Sequence, residues 1–311
     1  MTPYNHKMGQ RMRTDVNRVY CDRAFNAHFQ VSAANAVAAS NTGVHAAMNL
    51  DTATQEIASG ITNPAVPRNA IIKGSLSGMT GTVTLHGFNY ADQVISEEIA
   101  LNGANAVEGN KAFKSFTQID LPAETHAHAK QVEIATVVGT VTGAGNATVV
   151  VTCTGMTGSP KTISVAVVES DDAAAVAGKI RTALGADAAV IALFDVGGEG
   201  THITLTRKII AANIANLNIS IDNGTCTGLT TAATSEDTVA GVAYDTVSVG
   251  WGDKLGLPYK LAHNTVQQTF LNNTKEGTAP TVATDVANIE GNTVDLNSAL
   301  AGQVVDVYLL V

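Results

Sequence analysis

The chain has 311 residues, of which 45% are hydrophobic and 14% are charged, and its net charge is −9. This length and apolar content predict sizeable buried cores and exclude disorder over most of the chain. A general nucleic-acid binder is not expected, because such proteins present a basic surface. No apolar run approaches the ~20 residues that span a bilayer, and residues 1–18 are too polar for a signal peptide, so we expect a soluble, unprocessed protein.

The composition favours a structural protein built mainly from strands. Ala, Thr, Val, Asn and Gly dominate the sequence. Thr and Val favour strands, and Asn and Gly favour the turns between them. Cys21, Cys153 and Cys226 are far apart and form no CxxC pair, which indicates a reducing compartment and packing as small hydrophobic residues.

Charge is unevenly distributed along the chain. Residues 1–30 carry five basic and two acidic residues, a net charge of +3, whereas the rest carries 13 basic and 25 acidic residues, a net charge of −12. The five basic residues are Lys7, Arg11, Arg13, Arg18 and Arg23. We interpret residues 1–60 as an extended arm and linker whose basic part contacts an acidic partner surface, or else packs on the acidic body of its own chain.

From Ile71 onward the pattern is that of strands and turns. Residues 71–87 form two apolar runs separated by a Gly/Ser cluster, and Val83 and Leu85 alternate with polar residues, which predicts half-buried antiparallel strands. The runs at 93–103 and 110–122 continue this pattern. Pro64 and Pro67 precede it and predict an extended linker into the sheet.

A second unit is predicted at residues 131–240. The segments 145–155 and 161–170 indicate paired strands joined by a turn at Gly155–Pro160. A helix follows, capped by Asp171 or Asp172 and ending at Gly185, with an apolar stripe of Val176, Ile180 and Leu184. Strands resume at 201–208 and 216–224. The unit therefore has the order ββαββ.

This unit is predicted to be an insertion. The segments at 130–137 and 244–252 share the same apolar spacing, so either one can complete a single sheet. Insertions are tolerated where the two chain ends lie close together. We therefore expect residues 61–130 and 241–311 to form a discontinuous antiparallel β-sandwich or barrel-like domain. Its last strand carries Val305, Val307, Leu309 and Val311, and we expect it to pair inside that domain.

The sequence contains no recognisable catalytic motif. The glycines at 143–145 and 178 lack the remaining residues of nucleotide-binding fingerprints, and Leu76 occupies the serine position of a nucleophile elbow. His126 and His128 can offer two imidazoles to one ion, but a zinc site needs three or four ligands. We interpret His86, His202 and the pair Glu97–Glu98 as solvent-facing strand residues. The chain is therefore expected to be no enzyme and to hold no cofactor or metal.

Trp251 and Tyr259 are candidate contact residues. Trp251 is the only tryptophan, and glycines flank it on both sides. Glycines beside a large ring allow close backbone approach, which suits either a core anchor or a contact between subunits. Both interpretations remain open from the sequence.

Three stretches resemble a family of virion proteins from tailed bacteriophages, the capsid decoration, cement or head-associated proteins. They are GITNPAVPRNAIIKGSLSGMTGTVTLHGFNY with its continuation to Pro122, DTVSVGWGDKLGLPYKLAHNTV, and the closing NTVDLNSALAGQVVDVYLLV. The predicted insertion, with GNATVVVTCTG and DDAAAVAGKIRTAL, is similar to a β-rich module of phage structural proteins. The resemblance covers roughly residues 60–300 and contains no catalytic fingerprint.

The resemblance implies a protein on the surface of the phage head, assembled in the bacterial cytoplasm. Its implied partners are the major capsid protein and sister subunits, and the family type implies a trimer. Such a protein stabilises the shell by many copies of a modest contact. The alternatives are a tail-tube or baseplate subunit and a surface module that binds glycans or a receptor.

Overall fold

The computed structural model describes residues 12–13, 20–21 and 26–311. The protein is mainly β, with several antiparallel sheets and few helical residues, as the sequence predicts. The longer of its two described α-helices has 14 residues, and no described helix is both long and apolar enough to cross a membrane.

The described residues up to Thr125 contain ten strands. They are β1 (Met12–Arg13), β2 (Tyr20–Cys21), β3 (Asn26–Val31), β4 (Ser40–Asn49), β5 (Gln55–Ile57), β6 (Arg68–Gly74), β7 (Thr82–Phe88), β8 (Val94–Ala100), β9 (Ala106–Phe113) and β10 (Ser115–Leu121).

Residues 126–244 contain nine strands and two helices. They are β11 (Val132–Thr136), β12 (Val138–Gly143), β13 (Gly145–Thr152), β14 (Lys161–Val167), α1 (Ala173–Ala186), α2 (Ala188–Leu193), β15 (Phe194–Gly197), β16 (His202–Arg207), β17 (Asn218–Asp222), β18 (Thr227–Thr230) and β19 (Glu236–Val239).

The remaining residues contain six strands and one short 3₁₀ helix. They are β20 (Thr246–Gly256), β21 (Val266–Leu271), β22 (Thr274–Lys275), β23 (Thr281–Ala283), the 3₁₀ helix (Ile289–Gly291), β24 (Thr293–Asp295) and β25 (Val305–Leu310).

The chain forms two compact units. Unit 1 comprises the described residues up to Thr125 together with Asp245–Val311, and unit 2 comprises His126–Tyr244. At the interruption of unit 1, the amide of Thr125 donates to the Asp245 carboxylate at 3.1 Å. Within unit 2, Ala129 and Val242 form an antiparallel bridge. The two chain ends at the junction are therefore held together in each unit.

The first core of unit 1 lies inside two antiparallel sheets that curl as a half barrel. One sheet has the order β5-β10-β7-β8, and the other runs β23-β24-β20-β6-β9 with β4 also paired to β20. The alternation along β7 buries Val83 and Leu85, as predicted, and Phe113 stacks on Phe116 with ring centroids 4.7 Å apart. Burial of these apolar side chains is the main stabilising contribution.

A carboxylate bridges the gap between β8 and β9, which form no ladder with each other. Glu97 accepts the backbone amide of Asn110 at 2.6 Å and that of Lys111 at 3.2 Å. The Lys111 ammonium donates to the Ser96 carbonyl at 2.7 Å. Burial raises the pKa of Glu97, although these amides act to lower it. Glu97 therefore satisfies amides on an outer strand that would otherwise lack partners.

The second core of unit 1 lies under a four-stranded sheet of order β22-β21-β25-β3. Phe29, Val31, Val305, Val307 and Leu309 point into it. β20 connects the two cores, because Val247 and Val249 belong to the first and Leu255 to the second.

A buried cation lies where β20 passes from one core to the other. Arg68 is 0% exposed, and its guanidinium donates to the Val37 carbonyl at 2.6 Å and to Asp253 at 3.1 Å. Burial lowers the pKa of Arg68 to about 10, against the opposing charge of Asp253. A buried charge of this kind needs such partners, so the pair fixes the loop at Val37 against β6 and β20.

Unit 2 has one core, formed by its strands and the apolar stripe of α1. Val176, Ile180 and Leu184 are buried, and Asp172 caps the helix by accepting the Ala175 amide at 2.8 Å. The predicted ββαββ order is present as β13, β14, α1, β16 and β17, and further strands and α2 complete the unit. The helix ends at Ala186, one residue beyond the predicted glycine.

Residues 26–60 depart from the predicted arm. They contribute β3, β4 and β5 to sheets of unit 1, where β3 pairs with β25 and β4 with β20. The partners of β3 and β4 lie more than 190 residues away in sequence, so local patterning could not indicate these pairings. A deletion of residues 1–45 therefore removes β3 and part of β4 and does not leave the body intact.

Three further expectations need correction. The expectation of a half-buried strand is wrong for β6, which is buried on both faces and lies in a different sheet from β7. Of the two segments that could complete the sheet of unit 1, β20 does so by pairing with β6 and β4, whereas β11 pairs with β16 and β19 in unit 2. Val311 is 40% exposed and follows the last strand, which ends at Leu310.

The close approach of β4 to β20 depends on Gly250. A Cβ atom at this position would lie 1.6 Å from the carbonyl oxygen of Ser40. We expect Gly250→Ala to destabilise unit 1 by about 3 kcal/mol, because β4 must move away from β20. Urea denaturation measures the change. Gly277→Ala is the matched control, since nothing lies within 4 Å of its added Cβ, and we expect a change below about 0.5 kcal/mol. Equal effects of both substitutions would contradict this account.

Candidate contact surface

The outer face of the sheet β22-β21-β25-β3 gathers aromatic and polar side chains. Along β25, Val305, Val307 and Leu309 are buried, so Asp306 and Tyr308 point to the opposite face. Along β3, Phe29 and Val31 are buried, and His28 and Gln30 share the outer face. We call His28, Gln30, Phe270, Asp306 and Tyr308 the aromatic face.

Strand register brings the rings of this face into contact. Tyr308 lies directly opposite His28 in the β25–β3 ladder. Their rings stack with centroids 4.5 Å apart and an interplanar angle of 4°. Phe270 meets Tyr308 edge-on at 5.8 Å and 83°. Tyr308 nevertheless remains 39% exposed, so part of the ring is open to a partner.

A shielded carboxylate orders the polar part of the aromatic face. Asp306 lies directly opposite Gln30, and its Oδ1 is 2.7 Å from Nε2 of Gln30 and 2.7 Å from Nε2 of His28. The Asp306 side chain is 8% exposed, whereas that of His28 is 43% exposed. The carboxylate thus fixes the imidazole that stacks on Tyr308, while the imidazole itself stays accessible.

This arrangement suits a surface that binds another protein. Stacked rings held by hydrogen bonds lose little conformational freedom when a partner covers them. Tyrosine also combines a large apolar area with a hydroxyl group, and it is enriched at protein interfaces. The aromatic face is therefore an ordered and partly exposed surface that can serve as a contact site.

Only part of the predicted contact set lies in the described chain. Lys7, Arg11, Arg18 and Arg23 lie outside the described residues, and for Arg13 only its backbone position in β1 is described.

The two predicted aromatic contact residues are both half-buried in unit 1. The indole of Trp251 packs beside the first core and donates to the Ala38 carbonyl at 3.2 Å. The backbone approaches its ring at Gly43, where a Cβ would lie 2.7 Å from the indole. Tyr259 packs against the second core. Neither residue belongs to the aromatic face.

The histidines singled out in the sequence have separate surroundings. His128 contacts the ring of Tyr244 at a centroid distance of 4.2 Å. His86 lies 2.8 Å from Asp120, so it is paired with a carboxylate and only half exposed. In the described part of the chain, no group of three or more His, Cys, Asp or Glu side chains is placed to hold a metal ion.

The two carboxylates singled out at 97 and 98 do not act as a pair. Glu97 is half-buried between β8 and β9, and Glu98 is exposed on the opposite face of β8. The expectation of one solvated edge is therefore wrong for Glu97.

The cysteines of unit 2 pack as small hydrophobic residues. Cys153 and Cys226 are both buried in its core and free. Burial raises the pKa of both thiols.

Unit 2 has a cleft of about 430 Å³, here called the polar cleft, whose lining also includes apolar Ile134 and Ala232. It lies along the outer face of β11 and β16, and its lining residues include Thr136, His202, Thr234, Glu236 and Thr238. The imidazole of His202 lies 3.1 Å from the Thr136 hydroxyl. Hydroxyl, imidazole and carboxylate groups on one wall can form hydrogen bonds with a polar ligand.

A buried acid lies on the inner face of β11. Glu133 is 2% exposed and accepts a hydrogen bond from the Ser235 hydroxyl, and its Oε2 has no hydrogen-bond partner in the described part of the chain. Burial raises the pKa of Glu133 to about 7, with further contributions from Asp237 and Glu236. The Glu133 carboxyl group therefore keeps its proton at pH values well above the usual pKa of a carboxyl group.

The neighbouring carboxylate stays ionised. Burial acts to raise the pKa of Asp237, but hydrogen bonds from Asn213 at 2.7 Å and Gln131 at 2.8 Å hold it below its usual value. A proton on Glu133 is therefore placed beside a charged acceptor.

No known protein family, no curated protein and no solved structure matches this chain. The proposed function therefore rests on the fold and on the surfaces of the protein itself.

Sequence reasoning did not identify the aromatic face. The alternation in VDVYLLV is enough to place Asp306 and Tyr308 opposite the valines. It does not reveal that His28 stacks on Tyr308, because the two residues are 280 positions apart in sequence and only the strand register brings them together.

The raised pKa of Glu133 predicts a pH-dependent stability of unit 2. The folded protein keeps this proton between its ordinary pKa of 4.5 and about 7, whereas the unfolded chain loses it. The Glu133 contribution is therefore fully present below pH 4.5, and the free energy of unfolding falls as pH rises through this window.

Glu133→Gln keeps a donor toward Asp237 and removes the ionisation. We expect this variant to gain about 1 kcal/mol or more over the natural protein at pH 8, with a much smaller difference at pH 4.5. Hydrogen exchange of β11 amides in the full chain measures the change at both pH values. Exposed Glu169→Gln, also in unit 2, serves as the control and should leave the pH profile unchanged.

Proposed function

We propose that this chain is a structural protein of a tailed-phage particle, of the capsid decoration type, and that it binds the assembled head shell. The aromatic face of unit 1 is the observation that carries the proposal. It offers an ordered, exposed contact area on a rigid sheet, and the sequence resembles proteins that work by contact. In this proposal the chain turns over no substrate.

The proposed mechanism is multivalent binding. Each copy covers the boundary between shell subunits, so the shell must break that contact before it expands or opens. Standard protein interfaces bury about 1,600 Å² in total. Because many copies bind one lattice, a modest contact at each position adds up over the shell.

The basic N-terminal residues extend this contact in the proposal. Residues 1–25 contain all five of the basic residues predicted to contact a partner, and the chain continues directly into β3, which carries His28 and Gln30. A positive segment that is continuous in sequence with β3 favours an acidic surface on the major capsid protein.

Substitution of the aromatic face tests the proposal. We expect Tyr308→Ala to weaken binding to empty heads of the phage by at least about tenfold, because it removes the exposed ring and the surface that orders His28. Co-sedimentation with heads measures occupancy. Tyr90→Ala is the matched control, since Tyr90 is also an exposed tyrosine of unit 1 and lies outside the face. Undiminished occupancy for folded Tyr308→Ala would overturn the assignment.

The polar cleft of unit 2 favours a second candidate function, the binding of host or surface glycans. Its hydroxyl, imidazole and carboxylate groups suit sugar hydroxyls, although no Phe, Tyr or Trp side chain of the described chain lines it. On a glycan array, Glu236→Ala should reduce any binding by the full chain at least about tenfold, as expected for loss of a charged hydrogen-bond acceptor. Glu169→Ala is the control for an exposed acid of the same unit. Binding that survives Glu236→Ala, or an array without signal, would exclude the cleft.

A further inference from the structure

Strand β14 leaves a long backbone edge without a strand neighbour. It is the outer strand of the sheet β14-β13-β17, and no other strand of the described chain pairs with its free edge. Its ladder with β13 runs through seven consecutive residue pairs from Lys161 to Val167, with no register shift. The strand is therefore regularly paired over its whole length.

Beyond Lys161 at its start, which follows Pro160, this edge lacks the features that usually prevent strands from pairing with other chains. Charged side chains, prolines and bulges interrupt most exposed edges. The outer strands β8 and β19 each carry two acidic residues. By contrast, residues 162–167 of β14 contain no charged residue and no proline. An uncharged, regular edge is typical of a strand that has a partner.

The space beside β14 is open. A groove of about 530 Å³ runs between the strand and α1, and its lining residues include Ser164, Ala166, Ala175, Gly178 and Thr182. A Cβ added at Gly178 would approach nothing closer than 3.7 Å. Strands in a sheet lie about 4.8 Å apart, and these small side chains leave room for a neighbour at that distance.

We propose that β14 of a second copy of this chain occupies the edge, with the two strands antiparallel about a twofold axis at Ser164. In this register Ser164 lies opposite Ser164 of the partner subunit, and Lys161 lies opposite Val167 of the partner subunit. The two sheets then continue into each other across the contact.

The sequence of β14 is compatible with pairing to β14 of a second copy in this register. Thr162, Ser164 and Ala166 are exposed on one face, and Val165 and Val167 are buried on the other. Antiparallel pairing about Ser164 keeps polar or small residues together on one face, and it keeps apolar residues together on the other apart from Lys161 at each strand end. Lys161 is already paired with Asp187 at 3.1 Å, so the two strand ends do not repel. A self-complementary patch of this kind is what a twofold contact requires.

The inference names a self-association surface for the proposed structural subunit, and it rests on that proposed function. It predicts a twofold pair in place of the trimer that the resemblance implies. Failure of one proposal is distinguishable from failure of the other. A monomeric chain that binds heads contradicts only the pairing, whereas a chain that dimerises through β14 and ignores heads contradicts only the proposed function.

Charge substitution at the axis tests the pairing. Ser164→Lys places two like charges directly opposite each other, as does Ser164→Glu, and the side chain is exposed in the single chain. By sedimentation equilibrium of the full chain, we expect each variant to raise the dissociation constant of the dimer at least about tenfold. An equimolar mixture of the two variants should restore association, because opposite charges then face each other.

The control is Ser220→Lys, on β17 at the opposite margin of the same sheet. It should leave the dissociation constant unchanged. Recovery in the mixture also shows that the single variants are folded. A natural chain that stays monomeric, or a Ser164→Lys variant that dimerises as the natural chain does, would overturn the proposal. In that case, protection of β14 amides on intact heads would assign the edge to a strand of another protein.

Discussion

Unit 1 depends on the pairing of β20 with strands whose paired residues precede it by 173 to 211 positions. One edge of β20 pairs with β6, and the other pairs with β4 and then with β24. Its side chains enter both cores, and the ion pair of buried Arg68 with partly exposed Asp253 fixes the crossing between them. Because these contacts are non-local, the loop must be closed before they can contribute stability. The half barrel is therefore completed only when the chain beyond unit 2 returns to the N-terminal strands.

The return of the chain to β20 also explains how unit 1 accommodates unit 2, an interruption of more than a hundred residues. Thr125 and Asp245 are hydrogen bonded at the junction, and the Leu50 amide donates to the carbonyl of Asp245 at 2.8 Å. A segment whose two ends leave from adjacent positions does not disturb the sheets around it. Unit 2 has its own core and its own capped helix, so its packing is satisfied internally.

Strand edges connect the fold to the proposed role. At β8 and β9, Glu97 satisfies amides that no ladder reaches, and that edge is closed. At β14 no such device is present among the described residues, and the open groove leaves room for a strand. The aromatic face adds an ordered surface on unit 1, held by the Asp306 carboxylate. A protein that functions by contact needs surfaces that are ordered before binding, and both features meet that need.

The sequence alone determined the elements whose signal is local. Alternation predicted β7 and β25, and the apolar stripe with its acidic cap predicted α1, because side-chain period and capping involve residues only a few positions apart. Tertiary structure decided the rest. The sequence of residues 26–60 predicted an arm, but β3 pairs with β25 in the structure. The strands β6 and β7 lie in different sheets. His28 and Tyr308 are in contact only because of the register between β3 and β25. The burial of Glu133 also followed from packing. In each case the decisive contact joins distant segments, and its energy depends on geometry that no short stretch of sequence encodes.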